Sequence, residues 1–189
     1  ASYDKWRENC VHKFNGMWAF AIYDKEKEII FCSRDRFGVK PFYYTEINNK
    51  FIFGSEIKQL LEFYKERYVN KKILMDYLVV GFEEHTNETF FENIFKLEQS
   101  HNLVYDLKTN IFEIKKYYNI SFDNKLNNLS EKESIDLLSQ KLEKSIDLRL
   151  RSDVKVGTCL SGGLDSSSIA AIASKKYFYK TNEKFIAIH

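Results

Sequence analysis

Val154-Lys-Val-Gly-Thr-Cys-Leu-Ser-Gly-Gly-Leu-Asp-Ser-Ser-Ser168 reads as a short apolar strand, a glycine turn and the start of a helix. Val154, Val156, Cys159 and Leu160 supply the strand, Gly162 and Gly163 the turn, and Ile169, Ala170 and Ala173 the packed side of the helix. This order makes an anion-binding geometry, because the first N–H groups of a helix lack intrahelical acceptors and carry partial positive charge. Glycine lets an anion come close to the backbone without meeting a Cβ. Ser161 and Ser166 add hydroxyl donors, and Asp165 adds one carboxylate.

Two familiar phosphate loops are excluded by missing residues. No lysine follows the glycines, as G-x-x-x-x-G-K-[ST] demands, and the third glycine of the dinucleotide fingerprint is absent. The string Ser161-Gly-Gly-Leu-Asp-Ser166 instead resembles the PP-loop of ATP pyrophosphatases, enzymes that adenylate a substrate and release pyrophosphate. That resemblance implies an ATP and pyrophosphate site at Leu160, Ser161, Gly162, Gly163, Asp165 and Ser166, with Asp165 helping to hold Mg²⁺.

The flanks support a βαβ unit. Upstream, Ser130 and Glu133 form a capping box, and Ile135, Leu138, Leu142 and Ile146 follow on one helical face, ending near Arg151-Ser-Asp153. Downstream, Phe185-Ile-Ala-Ile188 is a second strand, which a helical crossover makes parallel to the first. The polar, asparagine-rich stretch 119–129 reads as a linker.

Before the linker the pattern changes to strands and turns. Met17–Tyr23 is an aromatic-rich apolar run, Ile29–Ser33 returns after a charged turn, and Gly38 turns the chain again with an expected positive φ. Phe42–Tyr44 and Phe51–Ser55 flank the Asn48-Asn49 turn, so four strands in meander order predict one antiparallel sheet. Short helices are expected over Glu56–Phe63 and Ile73–Val80, and further strands at His101–Tyr105 and Ile111–Tyr118. Arg34, Asp35 and Arg36, beside Gly38, read as a turn-stabilising ion pair rather than a catalytic cluster, and Glu56 and Lys58 as the cap of a short helix.

Composition narrows the function classes. A chain of 189 residues with 44% hydrophobic residues can bury a sizeable core, and no apolar run has the length of a membrane span. A net charge of +2 with both signs interspersed gives no footprint for nucleic acid or membrane. Cys10, Cys32 and Cys159 are odd in number and unpaired in spacing, which argues against a disulfide framework or zinc site and for a reduced, cytoplasmic protein. His12, His85, His101 and His189 show no metal-ligand spacing.

With these residues assembled, the chain resembles a glutamine-hydrolysing asparagine synthetase. Phe14–Asp24, Ser33–Tyr44 and Gly54–Lys58 resemble the later strands of that family's class II glutamine amidotransferase domain; Arg149–Gly157 and Leu160–Ser166 resemble the entry to its synthetase domain. The fold implied is an α+β antiparallel sheet domain over 1–118, the C-terminal part of an αββα sandwich. A linker over 119–129 would lead to the start of an α/β PP-loop domain, adenine nucleotide alpha hydrolase-like, over 130–189. The activity implied is ATP-dependent amidation of aspartate by glutamine-derived ammonia through a β-aspartyl-AMP intermediate, with ATP and Mg²⁺ as cofactors and small molecules as partners. A cyclising synthetase of the same superfamily, such as a β-lactam synthetase, and a non-catalytic module are the alternatives.

Departures from the family bear on catalysis. A class II amidotransferase uses an N-terminal cysteine whose α-amine is the base, and residue 1 is Ala; Cys10 is internal and reads as a structural thiol, so no catalytic residue is assigned. The sequence opens without Met and stops just after a strand, so both ends read as cuts. Lys155 stands where proline is usual, and Glu98-Gln99-Ser100-His101 where Pro-Gly-His is usual, so a different turn is expected there. The open edges of a truncated parallel sheet offer a surface for homo-oligomers. The 189-residue chain is expected to show neither glutaminase nor asparagine-forming activity; ammonia release from glutamine by this chain would refute that.

Overall fold

The computed structural model describes residues 1–189, Lys125 through its backbone alone. It contains two compact units, Ala1–Ile120 and Ser121–His189. The first is an α+β unit built on antiparallel sheets. It opens with helix α1 (Ser2–Trp6) and a 3-10 segment over Arg7–Lys13, neither foreseen from the sequence.

The strands expected to form one meander belong to two sheets. β1 (Ala19–Asp24), β2 (Ile29–Arg34), β6 (His101–Asp106) and β7 (Ile111–Lys116) form one, in the order β1-β2-β6-β7. β3 (Tyr43–Ile47), β4 (Lys50–Gly54) and the short β5 (Phe95–Lys96) form the other, in the order β4-β3-β5. β3 cannot follow β2 into its sheet because β6 occupies that edge, Ile29 opposite Asp106 through Ser33 opposite Asn102. The β3–β4 hairpin turns on Asn48 and Asn49, both left-handed at φ 50 and 59, the pair of positive φ values that a two-residue I′ turn needs. Helices α2 (Ile57–Leu61) and α3 (Lys71–Val80) follow β4. Gln59 Oε1 accepts from the Glu56 N–H at 3.1 Å, which makes the short α2 a capped turn.

Strand periodicity decides what each face covers. Cys32, Leu103 and Tyr105 on the first sheet meet Phe42, Tyr44 and Leu97 from the second, and the Phe51 and Tyr105 rings stack at 4.7 Å. On the opposite face, Phe31 is fully buried against Tyr3, Cys10 and Val11 of the N-terminal segment. Each fully buried apolar side chain contributes about 1.5–3 kcal/mol, so the two faces are the main source of stability of the unit. Cys10 and Cys32 belong to these cores, and burial pushes both thiols up, Cys32 to about 12.

The turn after β2 is held differently from the expected ion pair. Asp35, 1% exposed, accepts hydrogen bonds from the backbone N–H groups of Trp18 (3.3 Å), Phe37 (3.1 Å), Val39 (3.0 Å) and Lys40 (2.9 Å). Arg34 donates to the carbonyls of Lys40 (2.8 Å), Gly38 (2.8 Å) and Leu97 (2.7 Å). Arg36 donates to Phe14 O at 2.7 Å and stacks over the Trp18 and Tyr118 rings. The charged groups thus serve backbone partners rather than one another. Gly38 has the expected positive φ of 66, and a Cβ there would stand 3.1 Å from Gln99 Cβ and 3.2 Å from the Arg34 guanidinium. Ser100 takes a left-handed φ of 66 and is held there by its Oγ donating to Arg36 O at 2.8 Å and its N–H donating to Asp35 O at 3.0 Å.

Burial acts to raise the Asp35 carboxyl, but the N–H donors of Lys40, Val39, Phe37 and Trp18 outweigh it and hold it below the ordinary carboxylate value. A depressed folded pKa means stability that is complete above the unfolded value of about 3.9 and lost as pH falls through the folded one. Asp35→Ala, which removes one buried acceptor from four backbone N–H groups, is expected to cost about 1–3 kcal/mol in urea unfolding and to flatten the acid limb of stability against pH. An unchanged acid limb would assign that pH dependence to other carboxylates.

Candidate functional site

The second unit places the loop. Helix α4 (Glu131–Arg149) starts on the expected capping box: Ser130 Oγ accepts from the Glu133 N–H at 3.4 Å, and Glu133 accepts from the Ser130 N–H at 2.8 Å. Of its apolar stripe Ile146 is buried, while Ile135 and Leu138 are exposed. Strand β8 (Gly157–Cys159), helix α5 (Leu164–Thr181) and strand β9 (Ile186–Ile188) make the βαβ unit, and β8 and β9 are parallel. The strand is shorter than the Val154–Leu160 run predicted: Val154 is 75% exposed and lies before the paired segment. Ala173 and Tyr177 give α5 its buried side, and Lys176–Glu143 (3.2 Å) and Lys180–Asp147 (2.7 Å) tie it to α4.

Leu160 extends the pairing, its N–H donating to Ile188 O at 2.7 Å. Its carbonyl accepts from His189 Nδ1 at 2.8 Å, a contact no spacing in the sequence announced. The chain then leaves the sheet through Ser161, Gly162 and Gly163, all exposed, and enters α5. The two glycines have different reasons to be there. Gly162 sits at φ 81, where an L side chain is strained, with open space around its Cβ position. Gly163 is the N-cap at φ −76, ψ 165, a conformation any residue adopts; a Cβ there would point into open space with only Ser161 Oγ at 3.6 Å. Gly162 gives the turn its shape, and Gly163 keeps the approach to it clear.

The loop brings the two predicted hydroxyls together. Ser161 Oγ and Ser166 Oγ are 3.0 Å apart, and Ser166 Oγ donates to Gly163 O at 3.1 Å. With the Ser166 proton committed to Gly163, the Ser161 hydroxyl is the donor of the pair. Asp165 is exposed in the first turn of α5. No side chain caps α5, whereas Ser130 caps α4 and Asn70 Oδ1 accepts from Ile73 N at the start of α3. The α5 N-terminus therefore presents free N–H donors, two hydroxyls and one carboxylate at the carboxyl end of a parallel strand, where ligands of open α/β sheets bind.

Among the described residues no group of three His, Cys, Asp or Glu side chains could cage a metal ion. One exposed carboxylate beside an anion cradle does fit a hard cation held mainly by phosphate oxygens and water. A cavity of about 440 Å³ along α4 and α5 is lined by Glu143, Ala171, Ile172, Lys175, Lys176 and Tyr179, none of them a loop residue.

A family model described as glutamine amidotransferase domain matches residues 1–118, and one described as asparagine synthase matches 137–181. A Methanocaldococcus jannaschii protein named as an asparagine synthetase (glutamine-hydrolysing) is 44% identical over 173 residues, 90% of this chain and 33% of that one. The chain belongs to the glutamine-hydrolysing asparagine synthetase family. A Bacillus subtilis asparagine synthetase of the same description is 35% identical over 92% of this chain and 28% of its own length. An amidase of Gibberella zeae is 30% identical over 92% of this chain and 26% of its own. The chain spans about a third or less of the length of these relatives. No helix among the described residues is long and apolar enough to cross a membrane.

For this asparagine synthetase family member, the structure also explains a glycine that the sequence reading passed over. A Cβ on Gly157 would lie 2.9 Å from Ile186 O and 3.5 Å from Ile186 Cβ, the close backbone approach that an isolated glycine in a strand marks. Gly157→Val is expected to break the β8–β9 pairing, lowering hydrogen-exchange protection at Leu160 and Ile188 together. Gly162→Ala meets no neighbour and should cost only the left-handed penalty, about 1–2 kcal/mol, with that protection retained.

Proposed function

We propose that Leu160, Ser161, Gly162, Gly163, Asp165 and Ser166 form the pyrophosphate-cradling part of an ATP site, at the start of a PP-loop synthetase domain that follows the C-terminal part of a class II amidotransferase sandwich over residues 1–118. The enzyme would adenylate the side-chain carboxylate of aspartate and then displace AMP with glutamine-derived ammonia, releasing pyrophosphate. The observation that carries this reading is the uncapped α5 N-terminus behind Ser161–Gly163, joined to the two domain matches. The names of the relatives support the acceptor and nitrogen source.

On this reading the Ser161 hydroxyl turns from Ser166 to donate to a phosphate oxygen, Ser166 holds the turn through Gly163 O, and the N–H groups of Gly163, Leu164 and Asp165 meet the charge that builds on the leaving pyrophosphate. Fixed donors act most strongly where charge develops in the transition state. Mg²⁺ would be held by Asp165 and the phosphates and would neutralise the leaving group. Leu160, its N–H and carbonyl both engaged, offers the nucleotide its side chain and position rather than free backbone polarity. The amidase of Gibberella zeae favours a second reading, in which the same machinery serves another acceptor.

Gly163 has φ compatible with any side chain, so Gly163→Val tests anion access without straining the fold. Titrating pyrophosphate with Mg²⁺ into the chain by calorimetry should show binding that Gly163→Val and Asp165→Ala each weaken at least about tenfold, or 1.4 kcal/mol. Unchanged affinity in both variants would sink the assignment. In the complete enzyme, ATP–pyrophosphate exchange that depends on aspartate supports the first acceptor; exchange with another carboxylate alone supports the second.

A further inference from the structure

The sequence contains one Asn-Gly pair, Asn15-Gly16, in the connection between the N-terminal 3-10 segment and β1. Both residues are exposed. Among the described residues the Asn15 side chain has no hydrogen-bond partner, and the Gly16 N–H donates to no acceptor. No atom outside the local chain comes within 4 Å of the Gly16 Cβ position. The connection is nevertheless pinned on both sides: Phe14 O accepts from Arg36 Nη1 at 2.7 Å, and Trp18 N donates to Asp35 Oδ2 at 3.3 Å.

We propose that Asn15 is a spontaneous modification site, at which the native protein deamidates through a cyclic imide. The Gly16 backbone nitrogen, after losing its proton to base, attacks Asn15 Cγ; a C–N bond forms, the bond to the side-chain amide nitrogen breaks, and that nitrogen leaves with a proton as ammonia. Water then opens the ring at either carbonyl, giving aspartate or isoaspartate. Elsewhere in a fold, three things stop this reaction: a Cβ on the following residue, a hydrogen bond that commits the nitrogen, or packing that fixes the amide. All three are missing here. Asn102, half-buried in β6 and followed by Leu103, has at least the first of them.

The product acts on a defined partner. Isoaspartate adds a backbone carbon between two anchored residues, and either product places a carboxylate next to the carbonyl that Arg36 holds. The slack and the charge both fall on the Arg36–Phe14 bond and on the Trp18 ring under the guanidinium.

The test is incubation of the native protein in neutral and in alkaline buffer, followed by peptide mass spectrometry and isoaspartyl methyltransferase labelling. A free peptide spanning residues 12–20 serves as reference. Conversion confined to the Asn15 peptide, faster in alkali, and within about tenfold of the free peptide is expected, since the fold adds no more than about 1.4 kcal/mol to the barrier. Asn15→Ser should abolish the labelling while leaving the fold intact. A native rate more than about a hundredfold below the peptide, or conversion no faster at Asn15 than at Asn102, would overturn the proposal.

Discussion

The sheet unit depends on the Asp35 carboxylate. Its oxygens take N–H groups from Trp18 at the entry to β1 and from Phe37, Val39 and Lys40 in the turn that leaves β2. Arg34, next to it, takes carbonyls from that same turn and from Leu97, just after β5. One buried anion and one buried cation therefore tie β1, β2, the crossing to the second sheet and its last strand through backbone atoms. Charges that are buried without direct pairing are costly unless hydrogen bonds replace the water they lose. Here Asp35 accepts four N–H groups and Arg34 donates from all three of its nitrogens, which makes the geometry of the crossing hard to vary. The two aromatic cores can then form on either side of the first sheet, because the crossing has already fixed which strand faces which.

Local chemistry made part of this legible. Ser130 and Glu133 named the start of α4, the Asn48-Asn49 pair named a hairpin, and Gly38 named a positive φ, since each depends on residues within a few positions. The division of strands into two sheets was not legible, because it rests on β6 taking the edge of β2 from some 70 residues away. The role of Arg34 and Asp35 was half legible. Alternating charges beside a turn suggest an ion pair, and only the fold shows that backbone groups at Trp18 and Leu97 arrive first. The N-terminal helical segment had no periodic signature; Tyr3, Cys10 and Val11 are recruited by the outer face of Phe31 rather than by their own spacing.

The loop at Ser161–Ser166 was the most legible feature, because its identity lies in consecutive residues. What the structure adds is a contrast within one chain. α4 only has to be stable, and it starts on a capping box, a device worth about 1 kcal/mol. α5 is nearly as long, yet its N-cap is Gly163, which supplies no acceptor, and the nearby hydroxyl of Ser166 points its proton at Gly163 O rather than accepting from the helix. A serine at the cap would stabilise the helix and fill the space an anion needs. Glycine there gives up helix stability and leaves the N–H groups and the partial positive charge of an 18-residue helix exposed at the end of β8. On the proposed reading, the absence of a lysine leaves neutral donors with no full positive charge to hold pyrophosphate once formed. With an exchangeable cation supplying that charge, a cradle of this kind can stabilise the developing anion and still let the product go.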